Sequence, residues 1–247
     1  MKNKEFSQVK AIIFDKDGTL LDFDAYWAVG SEKVMEDFLT RIGRNDISCD
    51  EILPILGIHN GVCDINSVFC QNTFWEISEI IYEFLIKKGC GNLTRLQTYE
   101  FILEAYDRIS DLGVIKPTCN DLRALLEKLK KQGIRLAVVT TDTAESTQKC
   151  LSALGIHDLF DKIYTDDGNA PNKPDPYAVF DFCRTFGLDK ENVIMVGDTM
   201  TDIKFARNAG IKVISIAKNS ENKKILAPHA DAVIQNPSFL SQIIDLE

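Results

Sequence analysis

Short runs of apolar residues, each followed by a glycine or a polar residue, recur in two separated parts of the chain. The first run, Ala11–Phe14, is β-branched in the middle and stops at Asp15. Runs of this length that end abruptly are typical of buried strands. By this pattern we predict strands at residues 11–14, 134–139, 162–164, 193–196, 212–216 and 232–234.

Helical patterns separate the strands that come after the first one. An amphipathic helix is predicted at 121–131, and further helices at 144–154, 175–186, 203–208 and 237–246. Strands that alternate with helices of this length indicate right-handed βαβ units and a parallel sheet covered on both faces. The predicted fold class is therefore α/β, with a doubly wound parallel-sheet core of the Rossmann-like type.

The chain between the first two strands has a different pattern. Apolar residues recur there at helical spacing, for example at Trp27 and Val34, and no convincing strand is visible. We interpret this region as an inserted all-helical cap domain of residues 25–112. The predicted α/β core then comprises residues 1–24 and 113–247.

Composition narrows the class of partner. The 247 residues carry a formal net charge of −9, which is unfavourable for binding the phosphate backbone of nucleic acid. The seven cysteines are scattered and form no CxxC pair, as expected of reduced thiols in a cytosolic protein. The polar N-terminus has no signal-peptide core, and no window has the roughly 20 apolar residues of a membrane span. We expect a cytoplasmic monomer or homodimer without a nucleic-acid or membrane partner.

Polar residues follow the ends of several predicted core strands. Alone, each has an ordinary explanation, such as an Asx-turn, a helix cap or a solvated loop residue. Because ligands bind beyond the carboxyl ends of parallel strands, these residues are expected to share one cleft. The residues at the strand ends, and in the loop before the fourth strand, are Asp15, Asp17, Thr140, Thr141, Lys173, Asp198 and Asp202.

The residue types at these strand ends suit a divalent metal ion. Asp15, Asp198 and Asp202 offer the hard oxygen ligands that Mg²⁺ takes, with a substrate phosphate as a further ligand. Asp198 and Asp202 are four residues apart, so they face the same way at the start of a helix. Lys173 and the metal would offset the repulsion among the carboxylates.

The same residues suit phosphoryl transfer. A phosphate can be bound by the Thr140 hydroxyl together with backbone amides of Gly18, Thr19 and Thr141. One carboxylate can act as a nucleophile and form an aspartyl-phosphate. The second acid can then protonate the leaving alcohol and later accept a proton from water.

Four motifs resemble those of the haloacid dehalogenase superfamily, in its phosphatase branch. They are Asp15–Thr19 (DKDGT), Val138–Thr140 (VVT), Lys173–Pro174 and Gly197–Asp202 (GDTMTD). Their run along the chain is most similar to phosphoglycolate phosphatase-like members, whose helical cap is inserted just after the first motif. The resemblance covers the whole predicted core and implies a Mg²⁺-dependent enzyme.

The resemblance also implies a role for each matching residue. Asp15 would be the nucleophile and a metal ligand, and Asp198 would bind Mg²⁺. Asp17 would be the general acid/base, with its backbone carbonyl on the metal. Thr140 and Lys173 would hold the phosphoryl group and stabilise the intermediate.

Further residues refine the resemblance. Asp202 would orient Lys173 or reach the metal through water. Asp17 separates phosphatase-like members from dehalogenases, which lack this second acid. Lys16 is unusual between the two acids, and we expect its side chain to point away. Thr141 stands where many relatives have asparagine, which departs modestly from the family pattern.

The leading hypothesis is a phosphoric monoester hydrolase. It would be a Mg²⁺-dependent phosphatase that hydrolyses a small phosphorylated metabolite, phosphoglycolate-like or a sugar phosphate, through an aspartyl-phosphate. Its partner is a small-molecule phosphate ester, and the cap is expected to close over the site. The alternative is a sugar-phosphate mutase of the β-phosphoglucomutase type, which shares the motifs. A third hypothesis is a non-enzymatic protein that binds phosphate or a protein partner.

Overall fold

The strands predicted from the apolar runs pair into one parallel sheet. The computed structural model describes residues 6, 8–64, 66–168 and 170–244. Within these ranges the strands are β1 (Ala11–Phe14), β2 (Ile58–His59), β3 (Val62–Cys63), β4 (Arg135–Val139), β5 (Lys162–Tyr164), β6 (Val193–Gly197), β7 (Lys212–Ile216) and β8 (Ala232–Ile234).

Helices connect most of these strands. They are α1 (Val29–Arg41), α2 (Cys49–Ile52), α3 (Val68–Gln71), α4 (Phe74–Lys87), α5 (Arg95–Tyr106), α6 (Ile109–Leu112), α7 (Leu122–Lys131), α8 (Ala144–Ala153), α9 (Tyr177–Phe186), α10 (Met200–Ala209), α11 (Ser220–Leu226) and α12 (Leu240–Ile243). A π-helical turn spans Asp24–Ala28, and 3₁₀ turns span Pro54–Leu56, His157–Leu159, Lys190–Asn192 and Pro237–Phe239.

Most helices of the predicted core differ from the prediction at their ends, and one helix, α11, was not predicted. α10 begins at Met200, before the predicted start, because Thr199 and Asp202 form a reciprocal capping box. The predicted closing helix is a 3₁₀ turn followed by α12, and its last predicted residues, 245–246, lie outside the described residues.

The chain divides into two compact units. The sheet unit comprises residues 1–22 and 116–247, and the helical unit comprises residues 23–115. A search of the described residues found that none of their helices has the length and apolar character needed to cross a membrane.

The sheet unit holds six parallel strands in the order β5-β4-β1-β6-β7-β8. Phe14 at the end of β1 lies opposite both Val138 of β4 and Val196 of β6. Because the three central strands are in this register, the residues that follow them emerge close together at one edge. The chain passes from β1 towards β4 and from β6 towards β7, so the strand order reverses between β1 and β6.

Alternate side chains of each strand point to opposite faces, which gives the sheet two apolar cores. Ile12 and Phe14 pack on one face with residues of α7 such as Leu126. Ile13 packs on the other face with residues of α9 such as Phe182. Because helices cover both faces, the central strands β1 and β6 are buried along their whole length, as their apolar sequences indicated.

The helical unit contains two long helices whose starts are fixed by their own side chains. Capping boxes at Thr73 and Thr94 begin α4 and α5. One short hairpin, β2–β3, is the departure from the expectation of helices alone. Its turn, Asn60–Gly61, has φ angles of 51° and 71°, and a type I′ turn needs positive φ at both central residues.

Candidate active site

The first candidate residue lies where the strand order of the sheet reverses. Asp15 follows β1, and its backbone N–H donates to the Val196 carbonyl of β6 at 2.8 Å. Asp198 follows the end of β6. A crevice beyond the carboxyl ends of two strands that diverge in this way is the usual ligand site of an open α/β sheet.

Lys173 joins two of the predicted acids. Its ammonium group pairs with Asp15 and lies 2.7 Å from Asp202 Oδ1, and its side chain is only 4% exposed. The other oxygen of Asp202, Oδ2, accepts the Thr199 N–H at 3.0 Å and the Thr199 hydroxyl at 2.7 Å. Asp202 therefore fixes the start of α10 and holds Lys173 beside Asp15 at the same time.

Three carboxylates lie close together around the Lys173 ammonium group. Asp15, Asp198 and Asp202 each offer an oxygen, and these oxygens all lie within 4.8 Å of one another. Burial raises the pKa of Asp15 to about 7, even though the nearby Lys173 acts to lower it. Burial and the neighbouring Asp15 and Asp202 also hold the pKa of Asp198 well above its usual range. Among the described residues, Lys173 is the cation seen to pair within this cluster, and its single charge would not balance three ionised carboxylates.

A divalent cation fits this donor set. Carboxylate oxygens are the ligands that Mg²⁺ prefers, and its charge would offset the repulsion among the carboxylates, which adds to the effect of burial on these pKa values. Asp202 already uses Oδ1 for Lys173 and Oδ2 for Thr199. Asp15 and Asp198 are therefore better suited than Asp202 to bind the ion directly.

The turn after Asp17 packs against Asp198. Gly18 has a φ of +81°, and a Cβ atom at that position would lie 2.0 Å from Asp198 Oδ2. The Thr19 hydroxyl lies 3.4 Å from Asp198 Oδ1. The Gly18 N–H, predicted to face a phosphate, donates to the Leu21 carbonyl at 2.8 Å. What Gly18 visibly contributes is therefore room for the Asp198 carboxylate.

Thr140 and Lys173 line one cavity of about 210 Å³, together with Tyr164 and Asn172. Thr140 is buried, and its backbone N–H donates to the Tyr164 carbonyl at 3.0 Å. Its hydroxyl oxygen accepts the Asp142 N–H at 3.1 Å, so the rotamer of Thr140 is fixed. Thr141, the other predicted phosphate ligand on this loop, is exposed.

Asp17 is held by its own neighbour. The Lys16 ammonium lies 2.9 Å from the Asp17 carboxylate and 2.8 Å from Asp142 Oδ2, with the Lys16 side chain fully buried. Burial alone would lower the pKa of Lys16, but the two carboxylates keep it above its usual value. The expectation that Lys16 points away from the predicted acids is not met, because its side chain turns back to Asp17.

Sequence reasoning missed two further members of this region. Thr199 was treated only as part of a motif, although it fixes Asp202 through its N–H and hydroxyl. Asp142 is absent from the predicted set, although it pairs with Lys16. The pattern of a capping box, Thr199 followed by an acid three residues later, was a usable signal for the first. Asp142 and Lys16 are too far apart in sequence for any local pattern to join them.

Comparisons with known proteins place the chain in a family. The model of the haloacid dehalogenase-like hydrolase family matches residues 12–216. Pyrophosphatase PpaX of Bacillus velezensis is 26% identical over 242 residues, which cover 96% of each chain. Phosphoglycolate phosphatase of Nitrosococcus oceani is 28% identical over 252 residues, covering 95% of this chain and 98% of that one. The solved structure of a candidate beta-phosphoglucomutase from Thermotoga maritima, 20% identical, has a TM-score of 0.67 over 94% of this chain and 96% of that one.

The family match spans all four motifs and most of the sheet unit. It confirms the predicted α/β fold and the predicted hydrolase class, and the phosphoglycolate phosphatase relative confirms the predicted branch. The chain belongs to the haloacid dehalogenase-like hydrolase family.

Proposed function

We propose that this chain is a Mg²⁺-dependent phosphatase that hydrolyses a small phosphorylated metabolite, phosphoglycolate-like or a sugar phosphate, through an aspartyl-phosphate. The observation that carries the proposal is the placement of Asp15. Its carboxylate pairs with the buried Lys173 and lies in the cluster with Asp198, at the switch point of the sheet. This arrangement supplies a nucleophile, a cation for the phosphoryl group and oxygen ligands for a metal in one place.

The first half of the reaction forms a covalent intermediate. A carboxylate oxygen of Asp15 attacks phosphorus, and the bond from phosphorus to the ester oxygen breaks. Asp17 donates its proton to that oxygen, which leaves as an alcohol. Lys173 and the Thr140 hydroxyl bind the phosphoryl oxygens on which negative charge is spread.

The second half releases inorganic phosphate. Asp17, now ionised, takes a proton from a water molecule, whose oxygen attacks phosphorus and breaks its bond to Asp15. Asp15 and Asp198 would hold Mg²⁺, with the Asp17 carbonyl as a further ligand, and the ion would neutralise charge on the phosphoryl oxygens. Asp202 keeps Lys173 in place through both halves, since it pairs with that ammonium at 2.7 Å.

We further propose that residues 25–112 act as a cap that selects the substrate. The family resemblance supports this role, because phosphoglycolate phosphatase-like members carry a helical insertion just after the first motif. The region begins soon after the Asp15–Thr19 motif in this chain as well. Substrate identity is then expected to change with substitutions in this region while the chemistry of Asp15 stays the same.

The test is phosphate release from a panel of phosphate esters, with Mg²⁺ and with EDTA. The panel contains 2-phosphoglycolate, several sugar phosphates, and pyrophosphate because a relative is named a pyrophosphatase. We expect Mg²⁺-dependent release that is lost in Asp15→Asn, with the fold intact by circular dichroism. Asp158→Asn, which removes an exposed acid elsewhere in the sheet unit, is the control and stays active.

The same assay separates the alternatives. A sugar-phosphate mutase would convert one sugar phosphate to an isomer and release little phosphate. A non-enzymatic binding protein would bind a phosphate ester without turnover. Near-normal activity of Asp15→Asn would contradict the nucleophilic role and, with it, the proposed mechanism.

A further inference from the structure

Lys16 is a buried cation in the middle of the first motif. Its side chain is fully buried, whereas the side chains of its partners Asp17 and Asp142 are 18% and 12% exposed. A buried ammonium group is costly unless it is paired, so both contacts have a physical purpose. The metal and the phosphoryl group are already served by Asp15, Asp198 and Lys173, and the proposed mechanism gives Lys16 no task.

The partners of Lys16 belong to two different loops of the sheet unit. Asp17 follows β1, and Asp142 follows β4. Asp142 is itself fixed, because Oδ1 accepts the Thr143 N–H at 2.8 Å and its own N–H donates to the Thr140 hydroxyl at 3.1 Å. A continuous chain of contacts therefore runs from Thr140, which faces the cavity, through Asp142 and Lys16 to Asp17.

We propose that Lys16 is a positioning residue that sets the carboxyl group of Asp17 for proton transfer to the leaving oxygen, with Asp142 as its anchor. This proposal rests on the proposed phosphatase function. The partly exposed Asp17 carboxyl group can reach a substrate while the ammonium group stays inside the protein. Proton transfer depends on geometry first, so an acid held from a fixed point transfers its proton more efficiently than a mobile one.

The second carboxylate keeps Lys16 in place. Lys16 contacts Asp142 at 2.8 Å, so the buried ammonium group retains a counter-charge while Asp17 gives up and regains its proton. Lys16 therefore holds Asp17 from the same point in both halves of the reaction.

The experiment compares two leaving groups in Lys16→Met, which has a side chain of similar length without the charge. The substrates are the alkyl phosphate turned over fastest in the panel and p-nitrophenyl phosphate. An alkoxide leaves only with a proton, whereas p-nitrophenolate leaves without one. The quantity compared is kcat/KM, which reports the steps up to departure of the leaving group and not the hydrolysis of the aspartyl-phosphate, where Asp17 acts as a base on both substrates. We expect kcat/KM to fall about 100-fold on the alkyl phosphate, by loss of positioned acid catalysis, and less than about 3-fold on the aryl phosphate. Equal losses on both substrates would show a merely structural role and overturn the proposal.

Further variants keep the test decisive if Lys16→Met does not fold. Asp142→Asn retains the Lys16–Asp17 pair and is expected to lose about 10-fold in kcat/KM on the alkyl phosphate, with the aryl phosphate little affected. In Asp17→Asn, the further substitution Lys16→Met or Asp142→Asn is expected to cause no additional loss of kcat/KM on the alkyl phosphate. Additive losses in those double variants would contradict action through Asp17.

Failure of this proposal is distinguishable from failure of the proposed function. If the wild-type protein releases phosphate and Asp15→Asn does not, the function stands, and equal losses in Lys16→Met remove only the positioning role. If the wild-type protein releases no phosphate from either substrate, both proposals fall.

Discussion

Lys173 and Lys16 both carry a buried ammonium group in the sheet unit, and each lies between two carboxylates. Lys173, with a side chain 4% exposed, pairs with Asp15 and Asp202. Lys16, with a side chain fully buried, pairs with Asp17 and Asp142. In both cases the carboxylates hold the lysine pKa above its usual value, against the effect of burial. Locally the two regions are nearly the same arrangement of charges.

Their surroundings separate them. A third carboxylate, Asp198, lies beside the partners of Lys173, and Lys173 also lines a cavity. The region around Lys173 therefore has the carboxylates to bind a metal cation and a cavity that can accept a ligand. Asp17 and Asp142 do not belong to such a group of possible metal ligands, since the three acids that come together among the described residues are Asp15, Asp198 and Asp202. A buried lysine between two acids is thus no sign of catalysis in itself, and the neighbouring groups decide its role.

The largest expected effect comes from removing the Lys173 charge. Lys173→Met should reduce kcat about 1000-fold on both alkyl and aryl phosphates, because the phosphoryl group is transferred whichever group leaves. This outcome would contrast with the leaving-group dependence expected of Lys16→Met.

A matched control for lost lysine charge is Lys162→Met, since Lys162 is a partly buried lysine of the same unit that pairs with Asp181. The steady-state kinetics of Lys173→Met, Lys16→Met and Lys162→Met are measured on the alkyl and the aryl phosphate. A Lys173→Met enzyme that kept activity on the aryl phosphate would remove the distinction between the two regions.

Metal binding gives the next largest effect. Saturating Mg²⁺, at about 100 times Kd, should stabilise the wild-type protein by about 2.7 kcal/mol, measured by thermal unfolding with Mg²⁺ and with EDTA. The gain should be larger in Lys173→Met, because the three carboxylates then lack their lysine. It should be unchanged in Lys16→Met and lost in Asp198→Asn. An equal gain in Asp198→Asn would place the ion elsewhere.

Gly18 lies between the two regions and offers a way to disturb one of them. In Gly18→Ala the new Cβ atom meets Asp198 Oδ2 at 2.0 Å, so Asp198 must move. We expect Mg²⁺ affinity to fall by about 10-fold to 100-fold, as for displaced ligands elsewhere, by titration of activity with Mg²⁺.

The control for backbone strain is Gly133→Ala, where φ is +78° and nothing lies within 4 Å of the new atom. That variant should lose about 1 kcal/mol of stability and no Mg²⁺ affinity. Equal Mg²⁺ affinities in Gly18→Ala and Gly133→Ala would show that Gly18 is needed only for the backbone turn and not for the position of Asp198.

The fold was accessible from sequence because its signals are local. Each core strand is an apolar run, and Phe14, Val138 and Val196 mark ends that come into register. The hairpin of the helical unit was missed because its strands have two residues each, too short for an apolar run, although Asn60–Gly61 is a strong turn signal.

The site was predictable only in part, for a related reason. Asp15 and Asp198 are found because strand ends of a parallel sheet converge, and Lys173 is found through its motif in the loop before α9. The Lys16–Asp142 contact was not, since it depends on how two loops fold against each other. Lys173 donates to Oδ1 of Asp202 rather than to Oδ2, and this choice depends on side-chain geometry that the spacing of residues in the sequence does not predict.

The smallest expected effect concerns a third lysine and acid cluster in the sheet unit, to which the function assigns no chemistry. Asp181 accepts hydrogen bonds from Lys162, Tyr164 and Arg184, and these bonds outweigh burial and lower the pKa of Asp181 to about 2. A carboxyl group with a lowered pKa in the folded state stabilises the protein above its unfolded pKa, near 4. That contribution is lost as the pH falls through the folded value, near 2.

Asp181→Asn should therefore be less stable than the wild type by about 1 kcal/mol at pH 7, after allowance for solvent screening. The difference should shrink as the pH falls from about 4 towards 2, measured by urea unfolding across that range. Asp189→Asn, which removes an exposed acid of the same unit, controls for the loss of one negative charge. The kcat of Asp181→Asn should stay near the wild-type level, because Asp181 itself does not line the cavity of Thr140 and Lys173. A stability difference that persisted unchanged at pH 3 would show that Asp181 acts through packing rather than charge.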